Sequence, residues 1–408
     1  MLKSSKLIFP FLIAMVLFSC KKNTSSDPDL GPEIKKPDAV KETQLVSATF
    51  VATLTKEEMQ SRAGFIGFGT AVNPLINYAA DFFKIVYKTT YKGKTIEASG
   101  LIGLPKNGPA NPSIISGQHE TRFIYESAAS LFPNSTTGFE VLAAMGYVVV
   151  IPDYIGFGSS KDIFHPYYVR DATAASVVDM IKAAKDYLSS AKFATSNRLF
   201  LVGYSEGGYA TLAAQREIET NPIPGLTLAA TAAGAGAFDL TTMLTEVSQS
   251  EQSMAAGYIT YLFQSYKTHY GWNRPLNTIF NEPYATDIPG LFNGQYDGVI
   301  ISWKLTFNLK ELFTPTFRAD LATLGKESEL KTALSLNSFF DWYPKGLTRL
   351  YHGTEDEIIP FKSTQTTFDS FKAAGSTKVS LIPVRGTHFT GASNMMVDVL
   401  PWLISIDK

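Results

Sequence analysis

The chain has 408 residues, with 36 Lys and Arg against 37 Asp and Glu, a formal charge of −1 and only 18% charged residues. It has no block of Lys and Arg interleaved with aromatics, so a phosphate backbone finds no footprint and nucleic acid is excluded as a partner. The single cysteine, Cys20, excludes any intramolecular disulfide, and the length suits one large α/β domain with insertions or two domains.

The opening "MLKSSKLIFPFLIAMVLFSCKKN" has a basic start at Lys3 and Lys6, an apolar run from Leu7 to Phe18, and then Ser19-Cys20. This is a signal peptide in outline. The run is shorter than the roughly 20 residues a membrane-spanning helix needs. Leu17-Phe18-Ser19-Cys20 resembles the bacterial lipobox, in which cleavage precedes a cysteine that then carries the lipid; the alternative is an ordinary signal peptide with an incidental cysteine. The stretch after it, to about Val40, is rich in Ser, Pro, Asp and Lys and cannot bury enough apolar area to order itself. The expected organisation is a lipoprotein signal peptide over 1–19, a flexible tether over 20–42 carrying lipid on Cys20, and one catalytic domain over 43–408. Such a protein belongs in the cell envelope, anchored to the membrane and facing either the periplasm or the outside.

Beyond the tether, strand-like runs alternate with helical stretches, which predicts a mostly parallel sheet covered on both faces. Eight strands are expected, near Phe82–Tyr91, Ile96–Leu104, Ser113–Gly117, Tyr147–Ile151, Arg198–Val202, Thr227–Ala232, Thr348–Tyr351 and Lys378–Pro383. The first two flank "KGK" and form a hairpin. Helices with apolar residues at helical spacing start at Asp171 and Gly207. Residues 237–344, rich in Tyr, Phe and Trp, interrupt the rhythm and are expected to form a helical cap or lid between the sixth and seventh strands. "GFIGFG" at Gly64–Gly69 lacks a leading strand and the G-x-G-x-x-G spacing, so it is not read as a phosphate loop.

Gly203-Tyr204-Ser205-Glu206-Gly207 fits G-x-S-x-G, but average Gly and Ser usage produces that pattern by chance in roughly one chain of this length in ten. A serine hydroxyl needs a base oriented by an acid. Of the five histidines, only His269, His352 and His388 follow Ser205. His388, in "IPVRGTHF", lies in the loop after the last strand, whereas His269 falls in the insertion and His352 precedes the acids. Among Glu355, Asp356 and Glu357, Asp356 is the expected acid, because in H-G-x-x-D-x-x-[VI]-P its carboxylate turns inward before Pro360 restarts the chain.

With G-Y-S-E-G at Gly203–Gly207, H-G-T-E-D-E-I-I-P at His352–Pro360 and G-T-H-F at Gly386–Phe389, the chain resembles the α/β-hydrolase family over nearly all of its length beyond the tether. "IPDYIGFGSS" at Ile151–Ser160, "HPY" at His165–Tyr167 and the large cap make it most similar to the secretory lipase branch. The resemblance implies an elbow that exposes Ser205, a catalytic triad of Ser205, Asp356 and His388, and an oxyanion hole formed by the Glu206 backbone N–H. It implies a second donor in "SGQHETRF", at Gln118 or His119, although the H-G-G-G pattern of many esterases is missing. Asp153 and Tyr154 are candidates for the pocket wall, with packing as the competing role.

The activity implied is cleavage of carboxylic esters, on small-molecule or lipid substrates, with no metal and no organic cofactor. The alternatives are a serine exopeptidase on the same fold, a carbohydrate deacetylase or feruloyl-type esterase, and a lipid-anchored binding module without chemistry. Oligomeric state is not legible.

Overall fold

A nine-stranded sheet runs in the order β1-β2-β3-β5-β4-β6-β7-β8-β9. Its strands are β1 (Leu45–Leu54), β2 (Ala79–Tyr91), β3 (Lys94–Lys106), β4 (Ile114–Gln118), β5 (Val148–Pro152), β6 (Arg198–Tyr204), β7 (Thr227–Gly234), β8 (Thr348–Gly353) and β9 (Val379–Val384). The computed structural model describes residues 43–65, 70–251 and 253–407. The signal-peptide, tether and Cys20 expectations lie outside the described residues, as does most of "GFIGFG".

The expected count of eight strands is one short. The extra strand, β1, pairs antiparallel with β2 at the edge of the sheet, and its register shifts between Leu45 and Ser47 and again between Phe50 and Ala52. β2, β3 and β5 pair antiparallel in turn, and every pairing from β5 through β4 to β9 is parallel. Every residue of β4 and β5 is buried. Continuous apolar runs of this kind suit the centre of a sheet covered on both faces.

Two long helices illustrate the cover. Arg170–Ser190 buries Val177, Val178, Met180, Ile181 and Leu188, while Glu206–Thr220 follows β6 at once and buries its Gly- and Ala-rich face. The helix-forming spacing of these side chains turns one stripe toward the sheet. Among the described residues, seven α-helices from Leu240–Gln249 to Ser328–Leu336 and one short 3-10 helix, Leu276–Thr278, lie between β7 and β8. This helical insertion is the one expected from sequence, except that the added N-terminal strand makes its neighbours the seventh and eighth strands. Its aromatics pack mainly on one another and on the core: Phe263, Phe280, Phe313 and Phe317 form one cluster. Among the described residues, no helix is long and apolar enough to cross a membrane.

The parallel strands deliver Tyr204, Gly353 and Val384 to the same end of the sheet, where the loops that follow them converge. In open α/β sheets ligands bind at this carboxyl end.

Candidate active site

Ser205 occupies the tight turn from β6 into the helix Glu206–Thr220, at φ 59° and ψ −127°. A non-glycine residue there is strained, and such strain persists only where its surroundings over-determine it. The flanking glycines supply the room. A Cβ on Gly203 would collide with the Gly207 carbonyl oxygen, and one on Gly207 with the Gln118 carbonyl oxygen. G-x-S-x-G spacing is therefore a steric requirement of this turn. The Ser205 N–H donates to Gly234 O at 2.9 Å, which pins the elbow to β7.

His388 is the first residue of the helix His388–Ile406, whose start is fixed by a Thr387–Thr390 capping box. Its Nε2 lies 2.9 Å from Ser205 Oγ and its Nδ1 lies 2.7 Å from Asp356 Oδ2. Asp356 follows β8, and its Oδ1 accepts the N–H groups of Ile358 at 3.0 Å and Ile359 at 2.8 Å. Burial pushes the Asp356 carboxyl up, but hydrogen bonds from His352 and His388 outweigh it and hold the group below the usual carboxylate range. The structure thus brings Ser205, Asp356 and His388 into one hydrogen-bonded line.

Asp341, another acid late in the chain, is engaged elsewhere, by Arg170 at 2.8 Å and Arg216 at 2.8 Å. The Glu357 carboxylate accepts the His388 N–H at 3.0 Å, a role the sequence reading did not assign. His352 was also missed. Its Nε2 donates to Ile359 O at 2.9 Å and lies 3.4 Å from Asp356 Oδ2, so it braces the same carboxylate oxygen that His388 meets.

The first intrahelical bond after the elbow runs from the Tyr209 N–H to Ser205 O, at 3.1 Å. The N–H groups of Glu206, Gly207 and Gly208 precede it and point out of the helix N-terminus, where negative charge is favoured. Gln118 and His119 are the residues expected to supply the second donor, and their side chains are occupied otherwise. Gln118 accepts from Thr211 at 2.7 Å through Oε1 and donates to Ser116 at 2.6 Å through Nε2. His119 Nδ1 lies 2.7 Å from the Glu120 carbonyl oxygen, and an acceptor there requires the proton on Nδ1. Burial, reinforced by the Arg122 charge, pushes this imidazole down to about 3, so Nε2 carries no proton to donate. With both side chains engaged in this way, a second donor at Gln118 or His119 would have to be a main-chain N–H of the turn after β4.

Asp153 and Tyr154 do not reach the pocket either. Asp153 is fully buried, taking hydrogen bonds from Ser99 Oγ at 2.6 Å and the Ser130 N–H at 2.7 Å. The Tyr154 hydroxyl donates to His119 O at 3.1 Å. Both brace the turn behind the site, so packing is their role.

A cavity of about 400 Å³ opens at Ser205 and His388. Its lining includes the apolar side chains Phe139, Tyr204, Tyr258, Phe389 and Met396 and the polar ones Glu120, Arg122, Thr136 and Thr137. Of the insertion aromatics, Tyr258 alone lines it; Phe389 and Met396 come from helix His388–Ile406, Phe139 from the loop before Val141, and Tyr204 from the end of β6. Among the described residues, no group of three or more His, Cys, Asp or Glu side chains is placed to hold a metal ion.

Residues 134–405 match the secretory lipase family. The chain belongs to that family. The matched region includes β6, the helical insertion and the loops that carry Ser205, Asp356 and His388. As a member of it, the protein is a carboxylic ester hydrolase of the α/β-hydrolase superfamily, and an extracellular or envelope protein. No curated protein sequence matches the chain. Among solved structures, a candidate hydrolase from Legionella pneumophila is 25% identical with a TM-score of 0.80, over 90% of this chain and 98% of its own. The rice cell wall degrading esterase LipA from Xanthomonas oryzae is 22% identical with a TM-score of 0.73, over 89% of this chain and 96% of its own. Candida antarctica lipase A in its closed state is 18% identical with a TM-score of 0.64, over 89% and 81%.

Proposed function

We propose that this secretory lipase family member cleaves esters through an acyl-enzyme on Ser205, with His388 as the base and Asp356 as its orienting acid. One observation carries the reading: the line Ser205 Oγ to His388 Nε2 at 2.9 Å and His388 Nδ1 to Asp356 Oδ2 at 2.7 Å ends at a serine that lines the cavity. His388 takes the Ser205 proton as Oγ bonds to the ester carbon, and the carbonyl oxygen becomes an oxyanion. The Glu206 N–H and a main-chain N–H of the turn after β4 receive that charge. Collapse breaks the carbon–oxygen bond to the alcohol, which leaves with the proton held on His388. Water, deprotonated by His388, then frees the acid and returns the proton to Ser205.

The helical insertion between β7 and β8 acts as the lid over this cavity, contributing Tyr258 to its wall. The N-terminal segment acts as signal peptide and tether, with Cys20 acylated and anchoring the enzyme to the membrane; its lipobox-like Leu17–Cys20 supports this. A labelled fatty acid recovered on the wild-type chain and absent from Cys20→Ser is the expected result, and label retained on Cys20→Ser contradicts it.

The reaction class is tested by assaying a p-nitrophenyl ester and an aminoacyl anilide side by side. Ester turnover with negligible anilide cleavage is expected. Anilide cleavage at comparable kcat/KM contradicts the ester reading in favour of an exopeptidase.

A further inference from the structure

Glu206 lies next to the nucleophile, yet its side chain turns away from the cavity and is buried against His165. The Glu206 Oε1 to His165 Nε2 distance is 2.7 Å, with side-chain exposures of 2% and 3%. The other ring nitrogen, Nδ1, lies 2.6 Å from the carbonyl oxygen of Ile155. A carbonyl only accepts, so Nδ1 carries a proton. The Nε2–Oε1 contact holds another, either as imidazolium facing carboxylate or as neutral ring facing carboxylic acid. In both forms the pair is neutral overall and every polar atom named has its partner.

The ring is boxed in by aromatic neighbours from two other elements. Tyr154 and Phe157 of the loop after β5 lie 6.1 Å and 5.2 Å away, and Tyr261 of the cap helix Ala256–Tyr270 lies 5.8 Å away. Residue 206 therefore receives a rigid tether from outside the elbow. Such a buried pair is a weak source of stability, because well-packed apolar side chains of similar volume serve as well or better. Its placement argues for another use. The same residue supplies the main-chain N–H aimed at the developing oxyanion, and that donor acts only if its position is held before the charge forms.

We propose that His165 and Glu206 form a positioning pair for ester cleavage: their buried hydrogen bond holds the Glu206 main-chain N–H at the oxyanion position. The inference rests on the reading of Ser205 as nucleophile. Neither side chain touches the substrate.

The test compares kcat and KM for p-nitrophenyl butyrate in Glu206→Ala, Glu206→Gln, His165→Asn, His165→Gln and the double variant His165→Asn/Glu206→Ala, with melting temperature as a fold control. In Glu206→Gln the amide donates to a bare Nε2 while Nδ1 still serves Ile155. In His165→Gln the amide stands in for Nε2 and keeps the bond to Glu206, whereas in His165→Asn it stands in for Nδ1 and loses that bond. Loss of the tether lets the donor drift, so Glu206→Ala and His165→Asn lower kcat about 10²-fold with KM little changed. The two Gln variants recover most of that loss. The double variant is no worse than either single, because the two residues act as a unit.

Wild-type kcat in folded Glu206→Ala or His165→Asn, fully additive losses in the double variant, or equal losses in His165→Gln and His165→Asn would each overturn the pair. If Glu206→Ala does not fold, the His165→Gln and His165→Asn comparison decides. Fluorophosphonate labelling of the wild type separates the two levels. Label on Ser205 with unaffected variants overturns the pair alone, and no label on Ser205 overturns the nucleophile reading and the pair with it.

Discussion

His388 Nδ1 lies 2.7 Å from Asp356 Oδ2, and nothing else the acid does would need that oxygen to face the helix His388–Ile406. The Asp356 carboxylate takes both backbone N–H groups on Oδ1, leaving Oδ2 to the two imidazoles. In the proposed triad, that charge orients the His388 ring.

Asp356→Asn keeps the size of the side chain but presents the ring with the wrong partner, so the imidazole adopts the wrong tautomer or turns away. A loss of about 10⁴-fold in kcat is expected, by analogy with other serine triads, with little change in KM. Asp341→Asn, which touches only Arg170 and Arg216, leaves kcat near wild type. Steady-state kinetics on a soluble ester with both variants checks the assignment, and the reverse ranking would move the acid to Asp341.

His119 gives a pH prediction. Burial first, and then the Arg122 charge, lowers its folded value from 6.5 to about 3. Between those values the unfolded chain binds a proton that the folded protein refuses. The contribution is fully present above 6.5 and is lost progressively as pH falls toward about 3. Relative to His119→Phe, wild-type stability should drop by about 1.4 kcal/mol per pH unit between about pH 6 and pH 4. Urea unfolding of both proteins across that window measures it; parallel curves contradict the assignment. Because the bare Nε2 offers no proton to an oxyanion, His119→Phe should also keep most of the wild-type kcat.

Much of this arrangement was legible in the sequence, for identifiable reasons. β5 reads as "VVVIP" because a central strand covered on both faces must be apolar on both, and the elbow reads as G-x-S-x-G because Gly203 and Gly207 have no space for a side chain. Ser205, Asp356 and His388 stood out because each follows a recognisable strand. β1 did not, since an edge strand with two register shifts has no clean alternation to detect. Asp153 and Tyr154 sit in a suggestive glycine-rich loop, and only the fold reveals that their polar atoms are used up behind the site. The His165–Glu206 contact joins residues 41 apart in sequence, so no local pattern could announce it.

The cavity makes a prediction about acyl chains. Phe139, Tyr204, Phe389 and Met396, with Tyr258 from the helical insertion, supply apolar lining to the cavity that holds Ser205. Each methylene buried there contributes about 0.8 kcal/mol, or roughly fourfold in kcat/KM, until the lining is covered. The kcat/KM for p-nitrophenyl esters should rise from acetate to at least butyrate or hexanoate before it falls, and Phe389→Ala should flatten the rise. A maximum at acetate with hexanoate barely turned over would point instead to a deacetylase acting on a bulky alcohol.

The central claim is that Ser205 is a nucleophile activated by His388, and covalent labelling tests it most directly. A fluorophosphonate probe, followed by peptide mass spectrometry, should place one equivalent of label on the peptide containing Ser205 in the wild type. Ser205→Ala should take none, and His388→Ala should label slower by several orders of magnitude, since triad members act as a unit. Stoichiometric label on another residue, or labelling of His388→Ala at the wild-type rate, would contradict the account.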